Sequence, residues 1–129
     1  MSSKRFENKT IIVTGAAGGI GEAYARALAA EGANVVVADL ADEKGKQVAA
    51  DIGGLYVSTD VADEDSAKAL AAATVDAYGS IDGLVNNAAI YGGMKLDFLI
   101  TVPWDYYKKF MSVNLDGALN VTRAVYPHM

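Results

Sequence analysis

The residues with the clearest chemical meaning lie between Thr10 and Glu31. An apolar β-branched run, Ile11 to Val13, passes through Gly15, Gly18, Gly19 and Gly21 into an alanine-rich segment of strong helix propensity. A strand that turns through glycines into a helix suits a phosphate. Glycine adopts backbone angles other residues avoid and has no Cβ to hold a ligand away. The helix start offers unpaired N–H groups and the positive end of its dipole. The order Thr14-Gly15-x-x-x-Gly19-x-Gly21 is not a strict Gly-x-Gly-x-x-Gly. No Gly-Lys-Ser/Thr follows, which excludes a P-loop.

Further polar residues recur at the ends of apolar runs. Asp39 closes Asn34-Val-Val-Val-Ala-Asp39, at about the 20-residue remove where a dinucleotide site places its ribose carboxylate. A carboxylate there accepts ribose hydroxyls, at about 1.5–3 kcal/mol for a hydrogen bond to a charged group. It also repels a 2′-phosphate, because like charges in contact cost several kcal/mol. No Arg or Lys stands at Ala16, Ala17 or just after Asp39 to offset that, so NAD is expected over NADP. Asp60-Val61 follows the Leu55-Tyr-Val-Ser58 run, and Asn86-Asn87-Ala88-Ala89 follows the run beginning at Ile81. Each also has a plainer reading, as a helix cap or a turn. Asn114 lies on an apolar stripe with Phe110, Val113, Gly117, Ala118, Val121 and Val125. It should be buried there and needs a partner, since an unpaired buried amide costs about 1–3 kcal/mol.

The elements that position these residues follow from the pattern. Strands are predicted at 10–14, 34–39, 55–58 and 81–86. Helices are predicted from Gly19 or Ile20 to Glu31, over 42–51, from a cap at Asp63 to Tyr78, and from Trp104 to Tyr126. Ala23, Ala27 and Ala30 are expected to let the first helix approach the sheet closely. The strict alternation implies a doubly wound, Rossmann-type parallel sheet, α/β in class, of about four strands in order 3-2-1-4 within one domain, residues 1–129. Ligands in such folds bind at the carboxyl ends of the strands, here Thr14, Asp39, Asp60 and Asn86.

Composition narrows the function classes. The 129 residues are 52% hydrophobic, and the net charge of −5 argues against a nucleic-acid partner. There is no cysteine, which excludes disulfides and thiolate catalysis and is compatible with a cytoplasmic location. No metal site is expected, because the single histidine is His128 with no carboxylate cluster beside it. The polar start, Met1 to Lys9, is unlike a signal peptide, and no apolar run is long enough to span a bilayer.

Taken together, the glycine turn, Asp39, Asp60-Val61, Asn86-Asn87-Ala88 and Asn114 resemble the short-chain dehydrogenase/reductase family in order and approximate spacing. The resemblance covers the amino-terminal, cofactor-binding half of that family. It implies NAD bound by Gly15, Gly18, Gly19, Ile20, Gly21, Asp39, Leu40, Asp60, Val61, Asn87, Ala88 and Ala89. Ala89 stands where the family usually has glycine. It further implies hydride transfer between nicotinamide and a secondary alcohol or ketone. The resemblance also implies that Asn114 is the first member of the family's Asn-Ser-Tyr-Lys tetrad, an asparagine that in the family distorts its helix and holds a water leading to the lysine.

The other tetrad members normally follow the strand after Asn114's helix, and the sequence ends at Met129 before it. The chain alone is therefore expected to be inactive, and to be marginal, oligomeric or aggregation-prone. Tyr91 and Lys95 share the Tyr-x-x-x-Lys spacing, but Gly92-Gly93 lies between them and they precede Asn114. They are rejected as the catalytic pair. Tyr91, Met94, Leu96 and Phe98 hint at an apolar substrate. The helix near 104–126 resembles the family's dimer and tetramer interface, so a homo-oligomer is expected. The alternatives are a non-catalytic NAD-binding or oligomerisation module and, more weakly, a site for another adenine ligand such as S-adenosylmethionine.

Overall fold

The computed structural model describes residues 4–90 and 97–129. Strands β1 (Thr10–Thr14), β2 (Asn34–Asp39), β3 (Leu55–Ser58) and β4 (Gly83–Val85) form one parallel sheet in the order β3-β2-β1-β4. Helices α1 (Gly19–Ala30), α2 (Asp42–Ile52) and α3 (Glu64–Tyr78) connect them. The expected doubly wound sheet, in the expected order, is what the chain forms.

The strands are apolar on both sides because each side meets a different helix layer. Ile11, Val13, Val35 and Val37 face α1 and α2 in a core completed by Ala25, Val48 and Ala49. Ile12, Val36 and Ala38 face the other way, toward Ala67, Leu70 and Ala71 of α3 and Val121 and Val125 farther along. Successive side chains of one strand thus anchor opposite layers.

Helix α3 starts where expected, with the Asp63 carboxylate accepting from the Asp65 amide at 2.9 Å. The fourth strand is shorter than the sequence pattern suggests. Asp82 lies before it, exchanging bonds with Thr10 through its own amide and its side chain, both at 2.8 Å. Asn86 lies beyond it, donating its side-chain amide to Thr122 Oγ1 at 3.0 Å. Helix α1 also departs from expectation. Ala23, Ala27 and Ala30 are exposed, and the close approach is made by Gly21 and Ala25. Those two lie four residues apart on the sheet-facing side, and the three alanines lie off that stripe.

The long final helix is four pieces. Helix α4 (Trp104–Met111) passes into a π-helical turn at Ser112–Asp116, then α5 (Gly117–Val125) and a 3₁₀ turn at Tyr126–His128. Its inward residues step by four from Val113 through Gly117 and Val121 to Val125, which leaves Ala118 exposed, contrary to expectation.

Candidate functional site

The carboxyl ends of β1, β2 and β4 open onto one crevice, at the point where the strand order reverses between β1 and β4. The glycine turn sits at its centre, and its glycines divide into two kinds. Gly15 (φ +68°) and Gly21 are packed: a Cβ on Gly15 would come within 2.9 Å of Ala88 Cα, and one on Gly21 would run into the Gly15 carbonyl and the Asn87 side-chain amide. Gly18 and Gly19 are open: among the described residues nothing lies within 4 Å of a Cβ added to either. Gly18 is the N-cap of α1 and no side chain caps that helix. The turn thus has the shape of a phosphate cradle, with tight glycines behind and bare backbone in front, at a helix start whose first N–H groups lack intrahelical partners. The residues present fit a dinucleotide's pyrophosphate.

One wall of the crevice is held by a hydroxyl. Thr14, buried at the end of β1, accepts from the amides of Asn87 and Ala88 through Oγ1, both at 3.0 Å, and donates to the Val85 carbonyl at 3.4 Å. The Asn87 side chain donates to the Gly15 carbonyl at 3.2 Å. Glycine turn and β4 exit are therefore fastened together. Thr14 has no more signal in the sequence than any threonine at a strand end.

The opposite wall is Asp39. Its carboxylate accepts from the Ala17 amide at 3.0 Å and from the Ala41 amide at 2.9 Å. The second contact is a turn aspartate's own, so the plainer reading of this residue is also true of it. An ionised carboxylate has about four acceptor directions, so two remain. The next strand reaches the same corner. Tyr56 donates its hydroxyl toward the Asp39 carbonyl at 2.8 Å and the Asp42 carboxylate at 2.6 Å. Partial burial, then the bond to Asp42, pushes the Tyr56 hydroxyl up to about 12. Tyr56 and Ser58 hold the Asp42 carboxyl below its ordinary range.

Asp60 lies just past β3, with its carboxylate accepting from the Ala62 amide at 3.0 Å and its own amide donating to Ser66 Oγ at 2.9 Å. Val61 is buried, and its carbonyl accepts from the Asn120 side chain at 2.9 Å. Ile20 and Leu40 are 67% and 65% exposed at the crevice rim.

Asn114 is half-buried, less than its apolar stripe suggested. It sits inside the π-helical turn, accepts from the Ile90 amide at 2.6 Å and donates to the Ile90 carbonyl at 3.1 Å. It thereby ties the final helix to the segment carrying Ala88 and Ala89. The helix distortion is present at the expected residue, and the required partner is backbone. Tyr91, Gly92, Gly93, Met94, Lys95 and Leu96 lie outside the described residues. Among the described residues no helix is long and apolar enough to cross a membrane.

Comparison with known proteins agrees with this geometry. The family model of the short chain dehydrogenases matches residues 9–129. The chain is similar to an uncharacterised oxidoreductase of Mycobacterium tuberculosis, 65% identical over 129 residues, covering 96% of this chain and 52% of that protein. It is also similar to the 2,5-dichloro-2,5-cyclohexadiene-1,4-diol dehydrogenase of Sphingobium indicum, 46% identical over 84% of this chain and 44% of that protein. Among solved structures, a 3-ketoacyl-(acyl-carrier-protein) reductase from Brucella melitensis complexed with NADH superposes with a TM-score of 0.90 at 34% identity, over 95% of this chain and 51% of that one. The chain spans about half the length of the curated relatives it matches. By sequence and by fold, the chain belongs to the short-chain dehydrogenase/reductase family and carries its amino-terminal half.

Proposed function

We propose that this chain is the NAD-binding half of an oxidoreductase that moves a hydride between nicotinamide and a secondary alcohol or ketone. The carrying observation is the convergence of the bare glycine turn and the Asp39 carboxylate, joined by the Ala17 amide at 3.0 Å. An anion cradle and a hydroxyl acceptor stand side by side, as a pyrophosphate and its adenosine ribose require. In this reading Gly18, Gly19 and Ile20 meet the pyrophosphate, with Gly15 and Gly21 shaping the turn. Asp39 and Leu40 hold the adenosine ribose. Asp60 and Val61 border the adenine, while Asn87, Ala88 and Ala89 line the path toward nicotinamide. Asn114 acts through the Ile90 backbone and belongs to the catalytic group of the whole enzyme.

Asp39 favours NAD, because a 2′-phosphate would meet a carboxylate. The NADH bound by the Brucella melitensis reductase supports a nicotinamide cofactor. Residues 1–129 act as one domain, and hydride transfer needs the serine, tyrosine and lysine that the family places after this segment. Trp104, Tyr107, Leu115, Leu119 and Tyr126 are exposed along the final helix, which supports a homo-oligomer built on that face. A cytoplasmic setting fits the cysteine-free composition.

The test is titration with NADH and NADPH by nicotinamide fluorescence, followed by absorbance assays with secondary alcohols and ketones on the protein at its full natural length. Saturable NADH binding, weaker NADPH binding and turnover of an alcohol or ketone are expected. Binding without turnover at full length favours a non-catalytic NAD module. Displacement of NADH by S-adenosylmethionine at comparable concentration overturns the reading.

A further inference from the structure

Tyr56 lies on β3 opposite Val37 of β2, two strands from the one that feeds the glycine turn. Its ring runs under α2 to Gly45, where an added Cβ would collide with the ring. A glycine in a helix interior is otherwise unfavourable, so the helix is cut to admit this side chain. A phenylalanine would fill the same space. The hydroxyl does something the ring does not: it reaches both ends of the turn that follows β2, the Asp39 carbonyl at 2.8 Å and the Asp42 carboxylate at 2.6 Å. Between those two points stand Leu40 and the Ala41 amide that the Asp39 carboxylate accepts.

We propose that Tyr56 is a positioning residue for cofactor choice: its hydroxyl fixes the Asp39–Asp42 turn, and so holds the Asp39 carboxylate where an adenosine ribose arrives. The inference rests on the reading of Asp39 as the ribose acceptor. Among the described residues, the Asp39 carboxylate is otherwise steadied by the amides of Ala17 and Ala41, and the Ala41 amide belongs to the same turn. Tyr56 adds a side-chain anchor from the sheet, beside the Thr59 amide that donates to the same Asp39 carbonyl at 2.9 Å and the Ser58 side chain that bonds Asp42. It also keeps Asp42 in place as a second carboxylate on the turn, which adds to the repulsion of a 2′-phosphate. The hydroxyl retains its proton across any working pH, since its own titration is pushed up to about 12.

The experiment compares Tyr56→Phe with the unaltered protein at full natural length, using NAD, 2′-deoxy-NAD and NADP. Loss of one hydrogen bond should raise KM for NAD about fivefold to tenfold with kcat unchanged, and narrow the preference for NAD over NADP. With 2′-deoxy-NAD, which lacks the hydroxyl, the two proteins should differ far less. A merely structural tyrosine would shift the melting temperature and leave these ratios alone, and that result overturns the proposal. If the unaltered protein itself fails to distinguish NAD from 2′-deoxy-NAD, Asp39 is not the ribose acceptor, and both readings fall. If it distinguishes them and Tyr56→Phe does so equally, only the role of Tyr56 falls.

Discussion

Asn114 meets Ile90 at two points, accepting from its amide at 2.6 Å and donating to its carbonyl at 3.1 Å. A primary amide is the shortest side chain that can satisfy both backbone groups of one residue. Asn114→Ala should therefore strand both, at about 1–3 kcal/mol each if they remain shielded. Asn114→Asp keeps the acceptor, loses the donor and should fall between. Urea unfolding of the three proteins gives the order. In the full-length enzyme, both variants should lower kcat more than cofactor affinity.

Thr14 offers a cleaner case, because its oxygen is buried and holds three backbone groups. Thr14→Val preserves shape and removes the hydroxyl, leaving the amides of Asn87 and Ala88 without that acceptor. A loss of about 2–4 kcal/mol is expected, the sum of two unmet donors at modest cost. Thr14→Ser should recover most of it. Thermal or urea unfolding measures both.

The two kinds of glycine should respond differently. Gly21→Ala places a methyl against the Gly15 carbonyl and Asn87, so it should destabilise by about 1–3 kcal/mol by overpacking. Gly19→Ala meets open space but sits at φ +57°, which costs about 1–2 kcal/mol for a residue with a Cβ. Its larger effect should appear in NADH titration, since the methyl stands where the proposed pyrophosphate lies.

Gly45 should reverse a general rule. Alanine for glycine in a helix interior ordinarily stabilises by about 1 kcal/mol. Here the new methyl meets the Tyr56 ring, and a net loss of about 1–2 kcal/mol is expected. In a Tyr56→Ala background the space is free, and Gly45→Ala should stabilise. A double-mutant cycle by denaturant unfolding reads the sign change.

Tyr56 and Asp42 predict opposite limbs of a pH profile. Tyr56 titrates at about 12 when folded, against about 10 for an ordinary tyrosine. The folded state holds the proton more tightly, so its contribution is full below about pH 10 and is lost as pH rises through about 12. Asp42 is shifted down, by its bonds to Tyr56 and then Ser58. Its contribution is present above the ordinary carboxylate range and lost as pH falls through its lowered value. Tyr56→Phe should flatten the alkaline limb and move the Asp42 titration upward, read by unfolding against pH and by carboxylate NMR.

Much of this was legible in the sequence for a physical reason: strands buried on both faces, glycine turns and caps are set by local chemistry. Hence the strand order, the glycine turn, the cap at Asp63 and the demand of Asn114 for a partner follow from residue types and spacing. What was not legible depends on a distant partner. Which alanines of α1 face the sheet depends on the angle at which Gly21 and Ala25 dock. The exposure of Ala118 follows from an inward stripe that advances by four along the helix. Nothing near Thr14 or Tyr56 in the chain announces the groups they hold, because those lie on other elements, distant in sequence. The shortening of β4 likewise depends on partners distant in sequence, the Asp82 carboxylate taking the Thr10 amide and the Asn86 side chain turning to Thr122.

The fastening of the glycine turn to the β4 exit, through the Thr14 hydroxyl and the Asn87 side chain, also limits how the crevice can work. A floor and a wall so joined cannot slide apart. A guest meets these two at a fixed spacing, and any opening and shutting must be carried by segments other than these two. Changes on one side of that joint should therefore be felt on the other, so that substitutions at Gly21 and Asn87 fail to add.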